Sequence, residues 1–285
     1  MSTGIVFHSL AAAVYLGLSI VLWGLLQAGK SMGGPERVAR WVLLLALVFQ
    51  GVALNALVLK GGHLHLSWLL ALSVAIWLGL IVFWLESLII KIDGLLLLLL
   101  PAAGITCLLV ALFPGSHLIT HAAQSALRGH LLLALGAYGL ITIAAMQSLL
   151  MAALDHHLHH PRDVVEDASR LKRAIGRVLD AQPPLLTQER LLFRLIWVAF
   201  GALTLAIASG GLISLATTGK WLPFDHKTVF TVLSWATFGM LLVGRHLWGW
   251  RGRIAVRYTL VGFVFVVFSY TGSRFVLEVI LNRGG

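Results

Sequence analysis

Apolar residues run along this chain in blocks, separated by short polar or glycine-containing stretches. A helix crossing a bilayer core of about 30 Å needs roughly 20 mostly apolar residues. Runs of that length fall at about 5–27, 38–59, 66–90, 94–113, 127–154, 190–217, 227–247 and 254–281. They predict an all-α polytopic membrane protein, a bundle of eight transmembrane helices forming a single integral membrane domain over 1–285. No Lys or Arg precedes the first run, and the first such residue, Lys30, follows it. A signal peptide carries its positive charge before the apolar stretch, so this run reads as a retained helix.

The longest polar segment is 155–189. Within it Val164, Ala168, Leu171, Ile175 and Val178 recur at helical spacing, while Arg170, Lys172, Arg173 and Arg177 fall mostly on other faces. That pattern suits a short helix lying on the inner membrane surface, and equally an ordinary solvated connector. Pro183 and Pro184 break it before the sixth run.

Composition agrees with the pattern. Hydrophobic residues are 59% of the chain and charged residues 11%. Soluble domains have roughly 45–50% and about 25%. A cytosolic enzyme and a disordered chain are both excluded on this balance. A single cysteine, Cys107, excludes a disulfide framework and any CxxC metal or redox site.

The net charge of +10 changes the picture only through its placement. One set of loops carries Lys30, Arg37, Arg40, Lys91, Arg162, Arg170, Lys172, Arg173, Arg177, Arg190, Arg245, Arg251, Arg253 and Arg257. The opposite set carries Lys60, Arg128, Lys220, Lys227 and Arg283. The richer side is expected to be cytoplasmic, with both termini periplasmic. No basic stretch is interleaved with aromatics as a single-strand nucleic-acid groove requires, so nucleic acid is not an expected partner.

Ionisable groups in a bilayer are costly and need an explanation. Of the twelve histidines, His63, His65, His117, His121, His130 and His226 fall at or near the outer ends of runs. Neutral imidazole is a common metal ligand and a frequent axial ligand of haem iron. His130 opens the fifth run and His226 precedes the seventh, so two helices can present imidazoles to one iron porphyrin; the alternative for each is an interfacial ring among headgroups. Along one stripe after His130 lie Ala134, Ala137, Tyr138 and Ile141, with Gly136 and Gly139 nearby, which allows close approach of a flat ligand or of a neighbouring helix.

Trp235 lies nine residues after His226, close to the same side of that helix, and is a candidate to line a porphyrin face. Arg274 and Glu278 are four apart and can pair; Arg274 is also a candidate partner for a porphyrin propionate, since a guanidinium meets a carboxylate with two parallel hydrogen bonds. The tract His156, His157, His159 and His160 looks like a metal-binding tract, but no other ligand set accompanies it and it reads as solvated; His8 and His246 are isolated. Most tryptophans sit near expected interfaces as an aromatic belt. There is no G-x-S-x-G, H-E-x-x-H or phosphate loop, and the apolar runs lack deep carboxylates.

The segment Phe224 to Leu281 reads FDHKTVFTVLSWATFGMLLVGRHLWGWRGRIAVRYTLVGFVFVVFSYTGSRFVLEVIL. Its FDHKTVF opening, GR…GWRGR loop and GSRFVLE ending resemble the integral membrane cytochrome c assembly family, whose members include the CcsA and CcmC haem-handling proteins, and most closely its YpjD branch. QERLLFRLIWVAFGALTLAIASG (188–210) and HLLLALGAYGLITIAAMQSLL (130–150) fit the same branch, so the resemblance covers roughly 125–281. It implies haem held at the outer face, beside a tryptophan-rich segment, between histidines of flanking helices. His130 stands where the first of those histidines falls; the second would fall near Thr271 to Ser273, where there is none. In WLPFDHKTVFTVLSW (221–235), Asp225 and Lys227 match the family's core and His226 stands where the family has proline. His226 is taken here as the substitute ligand.

The expected function is that of an inner-membrane accessory protein of cytochrome c assembly that binds or presents haem near the outer face, works with other assembly proteins and need not catalyse bond chemistry. The missing histidine near 272 favours an alternative, a membrane scaffold that keeps the fold without the cofactor. A third reading is a small-solute or metal-ion transporter using the outer histidines.

Overall fold

The computed structural model describes residues 3–27, 36–60, 63–88, 93–113, 117–118, 125–159, 176, 179–180, 182–219, 221 and 225–269. Eight long helices carry the fold: α1 (Thr3–Gln27), α2 (Glu36–Val58), α3 (Trp68–Ser87), α4 (Asp93–Leu112), α5 (Ser125–His159), α6 (Leu185–Thr218), α7 (His226–Trp248) and α8 (Arg253–Val267). Six of them, all but α3 and α8, are long and apolar enough to cross a membrane. In α3 the apolar stretch is shorter, Leu69–Leu85. The described part of α8 has 15 residues, and the remainder of the expected last run lies outside the described residues. The chain is thus a helical, multi-pass membrane protein with six candidate spans among the described residues.

The outward side chains agree with a lipid environment. Ile20 (71% exposed), Leu247 (64%) and Leu205 (59%) stand out from the bundle. A soluble surface does not carry apolar area on this scale.

One feature was not anticipated from the apolar runs. β1 (Leu59–Lys60), β2 (His63–Leu66) and β3 (His117–Leu118) form a small antiparallel patch in the order β1-β2-β3. Leu59 faces Leu64, and His65 faces Leu118. The patch joins the connections that follow α2 and α4. Backbone N–H and C=O groups that leave a helix near lipid must find partners, and a short ladder supplies them.

The helices pack as two groups of four. α1 lies against α2 and α4, and α3 packs on both α2 and α4. In the other group α5 packs on α6 and α8, while α7 lies against α6 and α8. The groups meet chiefly where α3 crosses α5. That crossing is made by small residues: Gly79 of α3 faces the backbone of Gly139 of α5, and a Cβ on Gly139 would overlap the carbonyl of Ala75. Helices in lipid gain little from the hydrophobic effect, so close backbone approach through small residues supplies much of their attraction. One continuous core runs through both groups, from Tyr15, Leu43 and Phe83 to Ile141, Leu195 and Phe238.

Inside the first group lies a buried polar chain. Tyr15 donates to Gln50 Oε1 at 2.8 Å. Gln50 Nε2 donates to Ser73 Oγ at 3.0 Å and to the Ser73 carbonyl at 3.2 Å. His8 Nε2 lies 3.3 Å from Ser73 Oγ, and its Nδ1 lies 3.2 Å from the Gly4 carbonyl. His8, Tyr15, Gln50 and Ser73 are all fully buried. His8, isolated in sequence, is thus one end of a network that ties α1, α2 and α3. Replacing Gln50 by leucine strands the Tyr15 hydroxyl in an apolar interior. The expected cost is about 1–2 kcal/mol, read as a lowered unfolding midpoint in detergent.

Ion pairs fasten the opposite end of the second group. Arg245 Nη1 pairs with Glu189 Oε1 at 3.0 Å, and Arg253 Nε with Asp155 Oδ2 at 3.0 Å. The turn between α7 and α8 needs Gly249 at φ 65°, a left-handed conformation in which its N–H caps the Arg245 carbonyl.

Candidate functional site

His130, in the second turn of α5, faces the C-terminal part of α6 and the start of α7. Its Nδ1 lies 3.0 Å from Ser209 Oγ on α6. Ser209 in turn donates to the Ala206 carbonyl at 3.2 Å. With its only proton given to Ala206, the hydroxyl accepts from the imidazole. In the tautomer this arrangement accommodates, His130 donates from Nδ1 to Ser209 and Nε2 keeps its lone pair, on the side of the ring that faces Gly210.

Next to Ser209 are Gly210 and Gly211. A Cβ on Gly210 would stand 2.9 Å from His130 Cε1, and one on Gly211 would stand 3.0 Å from the ring of Trp221. The glycine pair thus opens space that side chains would fill. The result is a half-open cleft of about 210 Å³. His130 and Tyr138 border it from α5, Ile207 and Gly210 from α6, and Lys227 and Thr231 from α7. The start of α7 is fixed by Asp225, whose carboxylate accepts from the Thr228 N–H at 2.8 Å, and this capping sets Lys227 beside the cleft.

The other residues singled out from the sequence are placed differently. His226 is the first residue of α7 and is exposed, and it is not among the residues that line the cleft, although Asp225 and Lys227 on either side are. Trp235 stacks on Phe200 with ring centroids 5.6 Å apart and donates to Thr204 Oγ1 at 2.9 Å, also outside the cleft lining. Arg274, with its neighbour Glu278, lies outside the described residues, as do His121, His160 and the interfacial-helix stretch from Val164 to Ile175. His63 and His65 belong to β2 and His117 to β3.

His156, His157 and His159 form the last turn of α5. His157 pairs with Asp180 at 2.9 Å, and His159 with Asp155 at 3.2 Å. Among the described residues no three His, Cys, Asp or Glu side chains gather as a metal site.

Ser209 was not picked out from the sequence, and Lys227 only as a match to the family's core segment. A serine in an apolar run carries no signal by itself. The adjacent Gly210 and Gly211 were the visible trace, because a glycine pair within an otherwise apolar helix marks close approach of something to the backbone.

As a host for iron porphyrin, the donor set fits. An imidazole with an open Nε2, an aromatic border and a cation able to meet a carboxylate are the groups such a molecule uses. The volume is below the roughly 300–1,000 Å³ of ordinary ligand pockets, so the cleft encloses part of a macrocycle and leaves the rest outside.

Comparison with known proteins places the chain. The family model described as cytochrome c assembly protein matches residues 38–281. Inner membrane protein YpjD of Escherichia coli K12 is 29% identical over 279 residues, covering 96% of this chain and 99% of that protein. An uncharacterized 28.8 kDa protein of Azospirillum brasilense is 28% identical over 286 residues, 99% of this chain and all of its own. Cytochrome c biogenesis protein CcsA of Gloeobacter violaceus is 30% identical over 98 residues, 34% of this chain and 29% of that protein. No solved structure matches. The chain belongs to the cytochrome c assembly protein family.

Proposed function

We propose that this protein holds haem at the outer face of a bacterial inner membrane, as an accessory of cytochrome c assembly, with other assembly proteins as its partners. In this reading the single domain crosses the bilayer eight times, with both termini periplasmic. Three findings support it: family membership, the inner-membrane relative, and the position of the cleft at the end of the bundle opposite the arginine-rich loops. The observation that carries it is His130, whose Nδ1 is held by Ser209 while Nε2 stays open toward a glycine-floored cleft.

His130 supplies the iron ligand. When bound, the porphyrin brings redox-active iron; the chain's own part is to ligate, orient and partly bury it. Lys227 is the side chain positioned to meet a propionate from α7, a role the sequence reading gave to Arg274. His226 would be the second residue to hold the group. Its exposed ring has to rotate inward for that role, and the spin state of the bound iron reads whether it does. Trp235 acts at one remove, by fixing α7 against α6 through Phe200 and Thr204.

The test is the absorption spectrum of protein purified in detergent from haem-replete cells. A Soret band with sharp reduced α and β bands is expected. A colourless protein that also refuses added haem would favour the scaffold reading, which the small cleft volume supports.

Ser209 gives a finer prediction. Ser209→Ala frees His130 to rotate and to change tautomer. Outer-shell partners of this kind are worth about 10–100-fold in metal affinity. A loss of that size is expected in a haem titration, together with a shifted reduction potential, and Ser209→Thr should restore both.

A further inference from the structure

At the opposite end of the second helix group, a cavity of about 400 Å³ opens between α5, α6 and α8. We propose that it is a binding site for the headgroup of an anionic phospholipid. The inference uses only the multi-pass membrane character of the chain and does not depend on haem.

The cavity is built as an amphiphile's headgroup site would be. Met151, Leu185, Leu186 and Val256 make its apolar walls. Leu186 is 56% exposed, so the wall continues onto the lipid-facing surface. Two residues before Gly252, which lines the cavity, Trp250 stacks on Trp248 at 5.7 Å, and Trp248 is exposed at the end of α7. Tryptophans in that position mark the headgroup level of a bilayer.

Charge in the cavity decides the class of ligand. Two carboxylates line it, Asp155 and Glu189, and both are already satisfied. Glu189 accepts from Arg245 at 3.0 Å and from the Gly252 N–H at 3.3 Å. Asp155 accepts from Arg253 at 3.0 Å and lies 3.2 Å from His159 Nδ1. Arg257, one helical turn after Arg253, also lines the cavity and makes no ion pair among the described residues. Among the described residues, the Arg257 guanidinium is paired with neither carboxylate of this wall, and it stands above an apolar floor at headgroup depth. A phosphodiester meets both requirements, since a guanidinium binds phosphate oxygens in pairs and acyl chains cover the apolar wall. A soluble phosphate would satisfy only the first.

The experiment is a lipid titration of the full chain in dodecyl maltoside micelles, following the thermal unfolding midpoint. Phosphatidylglycerol is compared with phosphatidylcholine of the same chains, and with inorganic phosphate. Phosphatidylglycerol should raise the midpoint, while the other two should not. Arg257→Gln should weaken the apparent affinity for phosphatidylglycerol about fivefold or more, the equivalent of roughly 1 kcal/mol per basic residue near a membrane surface. Arg251→Gln removes an exposed charge outside the cavity and should leave the response intact. Arg257→Lys, which keeps the charge, should respond between the two and guards against a folding defect in the glutamine variant. Equal responses to both lipids, an undiminished response in Arg257→Gln, or a full response to inorganic phosphate would each overturn the proposal.

Discussion

Gly139→Val is expected to destabilise the protein more than any other single change considered, by about 3 kcal/mol or more. A Cβ at Gly139 would occupy the space of the Ala75 carbonyl, and a Cβ on Gly79 of the facing helix would stand 3.2 Å from the Gly139 backbone. The Ala75 obstacle is main chain, which has no rotamer to change, so α3 and α5 must move apart. Overpacking a tight core costs typically about 1–3 kcal/mol, and a backbone collision lies at or beyond the upper end. The loss should be large because this crossing is the main junction between the two helix groups. Unfolding in a graded denaturing detergent should show an earlier midpoint and a broader transition, as the groups lose their coupling. Gly136→Val, on the same helix, is the contrast: its Cβ would meet only the Leu78 side chain at 3.5 Å, so its effect should be small.

His130→Ala is expected to have the largest functional effect. It removes the donor atom itself, so the loss of haem affinity should exceed the about 10–100-fold expected for Ser209. The fold should survive, because the Ser209 hydroxyl keeps its bond to the Ala206 carbonyl when the imidazole is gone. The unfolding midpoint should therefore stay close to that of the unaltered chain while the Soret band disappears. His226→Ala separates the two ligation schemes. If His226 turns in to hold the group, its removal would change the spectrum of bound haem; if it stays exposed, the spectrum is unchanged.

The helices were legible because a bilayer imposes a length and an apolar content on each of them. Every expected run overlaps a helix, and the limits were missed mainly where polar residues continue a helix past the lipid, as Asp155–His159 do at the end of α5. The β patch was not legible: its strands are two to four residues long and are defined by pairing between distant connections. His130 stood out because a histidine at the head of an apolar run is costly unless it has a purpose.

Its setting did not stand out. Ser209 lies 79 positions away in sequence, and only packing of α5 on α6 brings it to the ring. His8 illustrates the same limit from the other side: alone in an apolar run it gave no sign of the Ser73–Gln50–Tyr15 chain that holds it. Spacing along a helix reveals partners three or four residues away, whereas partners on other helices depend on rotations that the apolar pattern leaves undetermined.

The most direct measurement is a titration of haemin into haem-depleted protein in detergent, with the His130→Ala variant run in parallel. The account predicts a saturable Soret band at one haem per chain for the unaltered protein and none for the variant. Equal uptake by both proteins, or by neither, would contradict the assignment of His130 as the iron ligand.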